Sequence, residues 1–272
     1  MRLIGAGARL HYGANRAGAS FTYALAAAAL GRVIARRGFW PNALVMAALF
    51  IPLAAVTLSL PDPPPAPRGP ALTLGQGLRN LAGNRVYCLM LAAFFLSTLC
   101  TSAMNSFSSV LVLQLGGSEG DVGRMLFVQA LCEIPTMVLY ARWRRRIPLP
   151  ASALLALSLF FYGCKSLAMG SAATCSGVIA ASALQSCSFA LFAPACVDFI
   201  LETVSGEYLS TAHLLFLGLG QGAASMLGNL VNGALAQNLG VGAMLRAASA
   251  PAFAAAGLAA FAAYRQIRRK QP

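Results

Sequence analysis

Eight stretches of the chain are apolar for long enough to form a helix across a bilayer, and polar, basic or proline-rich segments separate them. They run over roughly 18–36, 40–60, 86–113, 122–141, 150–170, 173–200, 209–236 and 241–264. A hydrocarbon core about 30 Å thick takes roughly 20 residues of α-helix. The expected fold class is therefore an all-α polytopic membrane protein with about eight transmembrane helices.

Between the second and third spans stands PDPPPAPRGP, residues 61–70. Its prolines remove backbone donors and favour extended geometry, so this segment is expected to be a linker. In the following TLGQGLRNLAGN, Leu74, Leu78 and Leu81 recur at helical spacing, which predicts a short amphipathic helix along the membrane surface. The chain divides two plus six: residues 1–60 with two spans, 61–85 as the cytoplasmic linker with its amphipathic helix, and 86–272 as a six-helix bundle.

Composition agrees with a lipid environment. Hydrophobic residues make up 58% and charged residues 10% of the chain, against about 25% charged in soluble domains, and the mean hydropathy is +0.69. The net charge of +13 would suit nucleic acid only if the arginines formed a basic face with stacking aromatics. They cluster instead between and after the apolar runs, as around Arg142–Arg146 and Arg265–Lys270, so no nucleic-acid partner is expected. The positive-inside bias then places both termini in the cytoplasm and the protein in the plasma membrane, with Arg32, Arg36, Arg37, Arg124 and Arg246 on the outer side and the first three, close together, dissenting. The first 13 residues are too short and too interrupted by Arg2 and Arg9 to act as a secretory signal.

The seven cysteines form no CxxC pair and have no histidine nearby, which predicts small packed thiols, no metal and no cofactor. His11 and His213 have no HExxH motif or acidic pair beside them, so an enzyme is disfavoured.

The candidate chemistry lies in polar residues inside apolar runs. FVQALCEIPTMVLYARWRRR carries Glu133 nine residues, roughly 13 Å, from Arg142. That is too deep for a short side chain to reach water at the interface. A carboxylate at mid-bilayer costs about 2.5–3.5 kcal/mol. The next span carries Lys165, roughly 12 Å farther from the shared basic loop. Three arrangements fit: a direct ion pair, a shared polar cavity, or Lys165 reaching the outer interface beside a neutral Glu133. The sixth span adds Ser182, Gln185, Ser186 and Ser188, a helix interruption expected at Pro194, and Asp198, expected to be a solvated helix end. Gly220, Ala224 and Gly228 form a small-xxx-small packing pattern. Asn229 and Asn232 either line the cavity or bond to a neighbouring helix, and Asn105 adds a polar stripe to the third span. Polar stripes on several helices imply an aqueous path through a bundle.

These segments resemble the major facilitator superfamily, in its branch of lactose permease-like sugar or nucleoside proton symporters. YGANRAGASFTYA resembles the start of that branch's fifth helix, ALCEIPTMVLYAR the eighth, LQSCSFALFAPACVDFI the tenth and GLGQGAASMLGNLVNGAL the eleventh. The resemblance implies a secondary active transporter of a small polar solute, working as a monomer with a proton as candidate coupling ion. Drug or metabolite efflux, or a transport-inactive remnant, are the alternatives. It also implies that the eight spans are helices five to twelve of a twelve-helix fold, so that the chain is expected to be a truncated or split product. By position it makes Arg16, Tyr23 and Glu133 candidate substrate-binding residues, to which the polar positions in the apolar runs add Asn105 and Gln185, with Glu133 and Lys165 as the charge-coupling pair. Gln185 and Ser188 stand where the branch has a histidine and a proton-carrying glutamate, which leaves Glu133 as the candidate proton carrier.

Overall fold

The structure, a computed structural model, describes residues 12–38, 40–59, 74–144, 146 and 148–268. The described residues form helices and turns without strands. Two helices open the chain, α1 (Tyr12–Arg37) and α2 (Trp40–Ser59). The proline-rich linker lies outside the described residues. The expected amphipathic helix is α3 (Leu74–Gly83); it buries Leu81 and leaves Leu78 exposed. Then follow α4 (Arg85–Gln114), α5 (Glu119–Trp143), α6 (Ala151–Ser171), α7 (Cys175–Ser182), α8 (Phe189–Thr203), α9 (Leu209–Leu215), α10 (Ala224–Leu239) and α11 (Val241–Arg268).

Counting broken helices as single runs, 7 spans are long and apolar enough to cross a membrane; the first expected span is α1, whose apolar stretch is the shorter Gly18–Ile34. The protein is an all-α polytopic membrane protein.

Local chemistry marks the helix ends. Asn84 caps α4 by accepting from the Tyr87 amide, and Ser118 and Asp121 form a reciprocal capping box at α5. Gly116 and Gly240 follow α4 and α10 with φ of 79° and 83°, a backbone region that costs other residues more.

Two expected helices are not continuous. The run 173–200 breaks at a 3₁₀ turn, Ala183–Ser186, and not at Pro194, which sits inside α8. Serines surround the break. Ser182, Ser186 and Ser188 turn their hydroxyls back onto the carbonyls of Ile179, Ala183 and Leu184, offering the backbone an alternative to regular helix bonding. These three serines are therefore occupied locally and only Gln185 of this group reaches the cavity. The second break is a π-helical stretch, Phe216–Ala223, whose sequence FLGLGQGA holds three glycines. Such wide turns are tolerated where side chains no longer hold the backbone in register.

Backbones approach closely where small residues allow it. A Cβ at Gly31 of α1 would stand 2.9 Å from Gly123 Cα of α5, so the two helices meet backbone to backbone. On α11, Ala252, Ala255, Ala259 and Ala262 are fully buried, and a Cβ at Gly170 of α6 would lie 2.6 Å from the Gly242 carbonyl oxygen of α11. Gly220, Ala224 and Gly228 face α4: a Cβ at Gly228 would meet Leu99 Cα at 3.2 Å, one at Gly220 would meet Phe94 Cε1 at 2.9 Å, and Ala224 is buried. Gly170→Val should therefore destabilise the folded chain by about 1–3 kcal/mol. Thermal unfolding in detergent checks this, with Gly257→Ala, which meets nothing within 4 Å, as the control that loses nothing.

At one end of the bundle, Asp198 is not a solvated helix end. Its Oδ2 accepts from Tyr140 Oη at 2.8 Å and Arg144 Nε at 3.0 Å, while Arg144 also pairs with Glu202 and donates to the Leu149 carbonyl. The end of α5 is thereby tied to the end of α8. The arginine cluster after α5 supplies this bond, a pairing that linear spacing does not show.

Candidate functional site

A cavity of about 680 Å³ lies where α1, α4, α5, α6, the 3₁₀ turn, α8 and the π-helical stretch converge. Its centre is a hydrogen-bonded chain of three side chains. Lys165 Nζ donates to Gln185 Oε1 at 2.6 Å, and Gln185 Nε2 donates to Glu133 Oε1 at 2.9 Å. An ammonium can only donate and a carboxylate only accept, so this orientation of the carboxamide is the one that satisfies both neighbours. Ser20 Oγ of α1 donates to the second carboxylate oxygen, Oε2, at 2.8 Å. Glu133 is 7% exposed and Lys165 4%.

The two charges are thus joined through a neutral amide. Neither the direct ion pair nor the outward-reaching lysine describes the geometry; the shared polar cavity does. The depth offset counted along the helices is bridged because Gln185 lies on the broken segment between α7 and α8, between the levels of the two ions. Among the described lining residues Glu133 and Lys165 are the charged acid and base, and their formal charges balance.

Around them the lining is hydroxyl, amide and aromatic. From α4 come Thr98, Thr101, Asn105 and Ser108, from α5 Gln129, and from the π-helical stretch and α10 Gln221 and Ser225. Tyr23 lines the cavity from α1 and Tyr162 from α6. One side is closed by packed rings. Phe94 stacks on Phe192 and Phe216 with centroids 5.1 and 5.3 Å apart, Tyr162 meets Phe192 edge-on at 6.1 Å, and Tyr87 backs Phe216 at 5.5 Å. Since Tyr87 lies toward Arg85 on α4, this layer stands between the cavity and the end of the bundle that carries Arg85.

The structure therefore brings together Tyr23, Asn105, Glu133, Lys165 and Gln185. The side chain of Arg16 lies outside what the structure describes. Asn232 does not line the cavity: it is buried and donates to the Leu99 carbonyl at 2.9 Å and to Ser102 Oγ at 3.2 Å. Asn229 accepts from Ser106 Oγ at 2.9 Å, so both asparagines bond across to α4.

Several further lining residues carry a signal in the sequence. Ser20 lies four residues after Arg16 and three before Tyr23, on the face those two define. Gln129 precedes Glu133 by one turn, and Thr98, Thr101, Asn105 and Ser108 recur at three- and four-residue intervals along α4.

The sequence has counterparts among known proteins. A maltose permease from Geobacillus stearothermophilus is 28% identical over 234 residues, which is 86% of this chain and 58% of that permease. The chain thus spans less than two thirds of that relative's length. Residues 3–247 match the MFS_1 like family. With nine-tenths of the chain inside that match and an all-helical membrane fold around a polar cavity, this protein belongs to the MFS_1 like family of major facilitator transporters.

Proposed function

We propose that the chain is a secondary active transporter, or the larger part of one, for a small uncharged polar solute such as a sugar or nucleoside. The observation that carries this reading is the charge-balanced chain Glu133–Gln185–Lys165 inside a polar cavity. A cavity with balanced ions gives an ionic solute no net attraction, whereas its hydroxyls and amides match the donor and acceptor groups of a polyol. The rings of Tyr23 and Tyr162 add flat apolar faces of the kind that pack against sugar rings. The maltose permease similarity supports the same solute class. A hydrophobic cation, the solute of the efflux alternative, would need an unbalanced acid.

In this reading Glu133 and Gln185 bind solute hydroxyls, with Tyr23 and Asn105 as further contacts. Ser20 on α1 and Glu133 on α5 connect the two-helix unit with the six-helix bundle that follows the 61–85 linker. A solute that competes for the Glu133 oxygens loosens that bond and couples binding to movement between the bundles. Glu133 is also the proposed site of proton coupling, with protonation weakening the bonds that Gln185 and Ser20 donate to it and leaving Lys165 without a countercharge.

Equilibrium binding of labelled maltose to the purified chain in lipid nanodiscs tests the solute class. Unlabelled sugars should displace the label and tetraphenylphosphonium should not; the reverse order assigns the cavity to efflux of hydrophobic cations. Glu133→Gln should weaken sugar binding roughly ten- to hundredfold, the cost of losing a hydrogen-bond partner that carries charge. For coupling, Glu133→Gln should abolish proton-driven accumulation in proteoliposomes, and an unchanged pH dependence discards the proton role.

A further inference from the structure

A second concavity, about 420 Å³, opens on the outside of the bundle between the start of α4 and the end of α11. Two arginines, Arg85 and Arg265, stand at its mouth, and Leu89, Ala92 and Phe261 line it beside Cys88. We propose that this groove binds an anionic phospholipid, with the phosphodiester headgroup held by Arg85 and Arg265 and an acyl chain lying along the apolar wall.

No carboxylate among the described residues pairs with either cation. Among the described residues the ion pairs are Arg124 with Asp121 and Arg144 with Asp198 and Glu202. No acidic side chain lines the groove. Arg265 lies over the Phe261 ring at 4.9 Å, so an aromatic face of the groove holds its guanidinium, and its neighbour Arg268 lies over Tyr264 at 5.0 Å.

Depth selects a lipid over a free anion. Leu89 and Ala92 lie four and seven residues into α4 from Arg85, and Phe261 lies four residues into α11 from Arg265. The apolar wall therefore extends roughly 6–10 Å deeper along the helix axes than the cations. Charge at the mouth with hydrocarbon below it follows the order of groups in a phospholipid, and Phe261 is exposed where acyl chains reach it. Basic grooves between transmembrane helices select acidic headgroups by this geometry.

Cys88 provides a reporter within the groove, since its thiol is exposed. The purified chain in phosphatidylcholine nanodiscs is treated with a maleimide and alkylation of the Cys88 peptide is followed by mass spectrometry. Phosphatidylglycerol at a few mole per cent should slow that alkylation, while further phosphatidylcholine or millimolar inorganic phosphate should not. Native mass spectrometry should show phosphatidylglycerol retained over phosphatidylcholine by roughly thirtyfold, as expected for two cations at an acidic lipid surface. Arg85→Gln with Arg265→Gln should abolish the preference, and Arg124→Gln should keep it. Equal retention of the two lipids, protection by phosphate alone, or an unchanged preference in the double variant overturns the proposal. Should the double variant fail to fold, the wild-type protection experiment decides alone.

Discussion

Lys165→Met is expected to destabilise the folded chain by about 3 kcal/mol, and adding Glu133→Gln should recover a large part of that loss. The reason lies in what each single change leaves behind. Without Lys165, Gln185 Oε1 loses its donor and Glu133 keeps a charge with no countercharge in a cavity where it is 7% exposed. Without the Glu133 charge, the Lys165 ammonium is stranded in the same way. Removing one member of a buried pair costs about 3–5 kcal/mol, and water in the cavity favours the lower figure. The double variant removes both charges and leaves Gln185 between two neutral groups. Denaturation of the four proteins in the same detergent should give a coupling energy on the order of 1–3 kcal/mol. In a Gln185→Leu background, where the connecting amide is gone, that coupling should shrink. Strict additivity of the two single changes would show that the charges do not sense each other.

The spans were legible because bilayer thickness sets a minimum apolar length, and a run such as 86–113 can meet it in few ways. Glu133 and Lys165 stood out for the same reason, as ions in runs where each must have a cause. What linear reading could not supply was the bond between them. Counting rise along straight helices separates the two groups, and only the 3₁₀ turn that carries Gln185 closes the gap. Pro194 is the breaker that the sequence offers, whereas the break lies upstream, among serines whose hydroxyls bond back to carbonyls. Asp198 was misread in a related way. At a helix end it looks solvated, and its partners Tyr140 and Arg144 are more than fifty residues away in sequence. Ser20 was within reach of helical periodicity from Arg16 and Tyr23, but a single serine in an apolar run seldom argues for itself.

The second large effect concerns water. Tyr23, Asn105 and Gln129 line the cavity, while Val138, Met226 and Leu230 are exposed on helix surfaces away from it. Both groups lie in membrane-spanning helices and both are open to something outside the protein. For the first that medium is water and for the second it is acyl chain, because an ionised side chain such as Glu133 needs solvent or fixed dipoles where an apolar one does not. A charged thiol reagent, which enters water and not hydrocarbon, therefore separates two groups that exposure alone would equate.

The most direct measurement is the rate at which a charged methanethiosulfonate modifies single cysteines placed at these six positions in membranes, read peptide by peptide so that the native cysteines do not interfere. Fast modification at 23, 105 and 129 with none at 138, 226 and 230 is the result predicted by a water-filled cavity around Glu133. Inert cysteines at 105 and 129, beside a folded chain, would mean that the cavity is dry, and the transport reading would lose its physical basis.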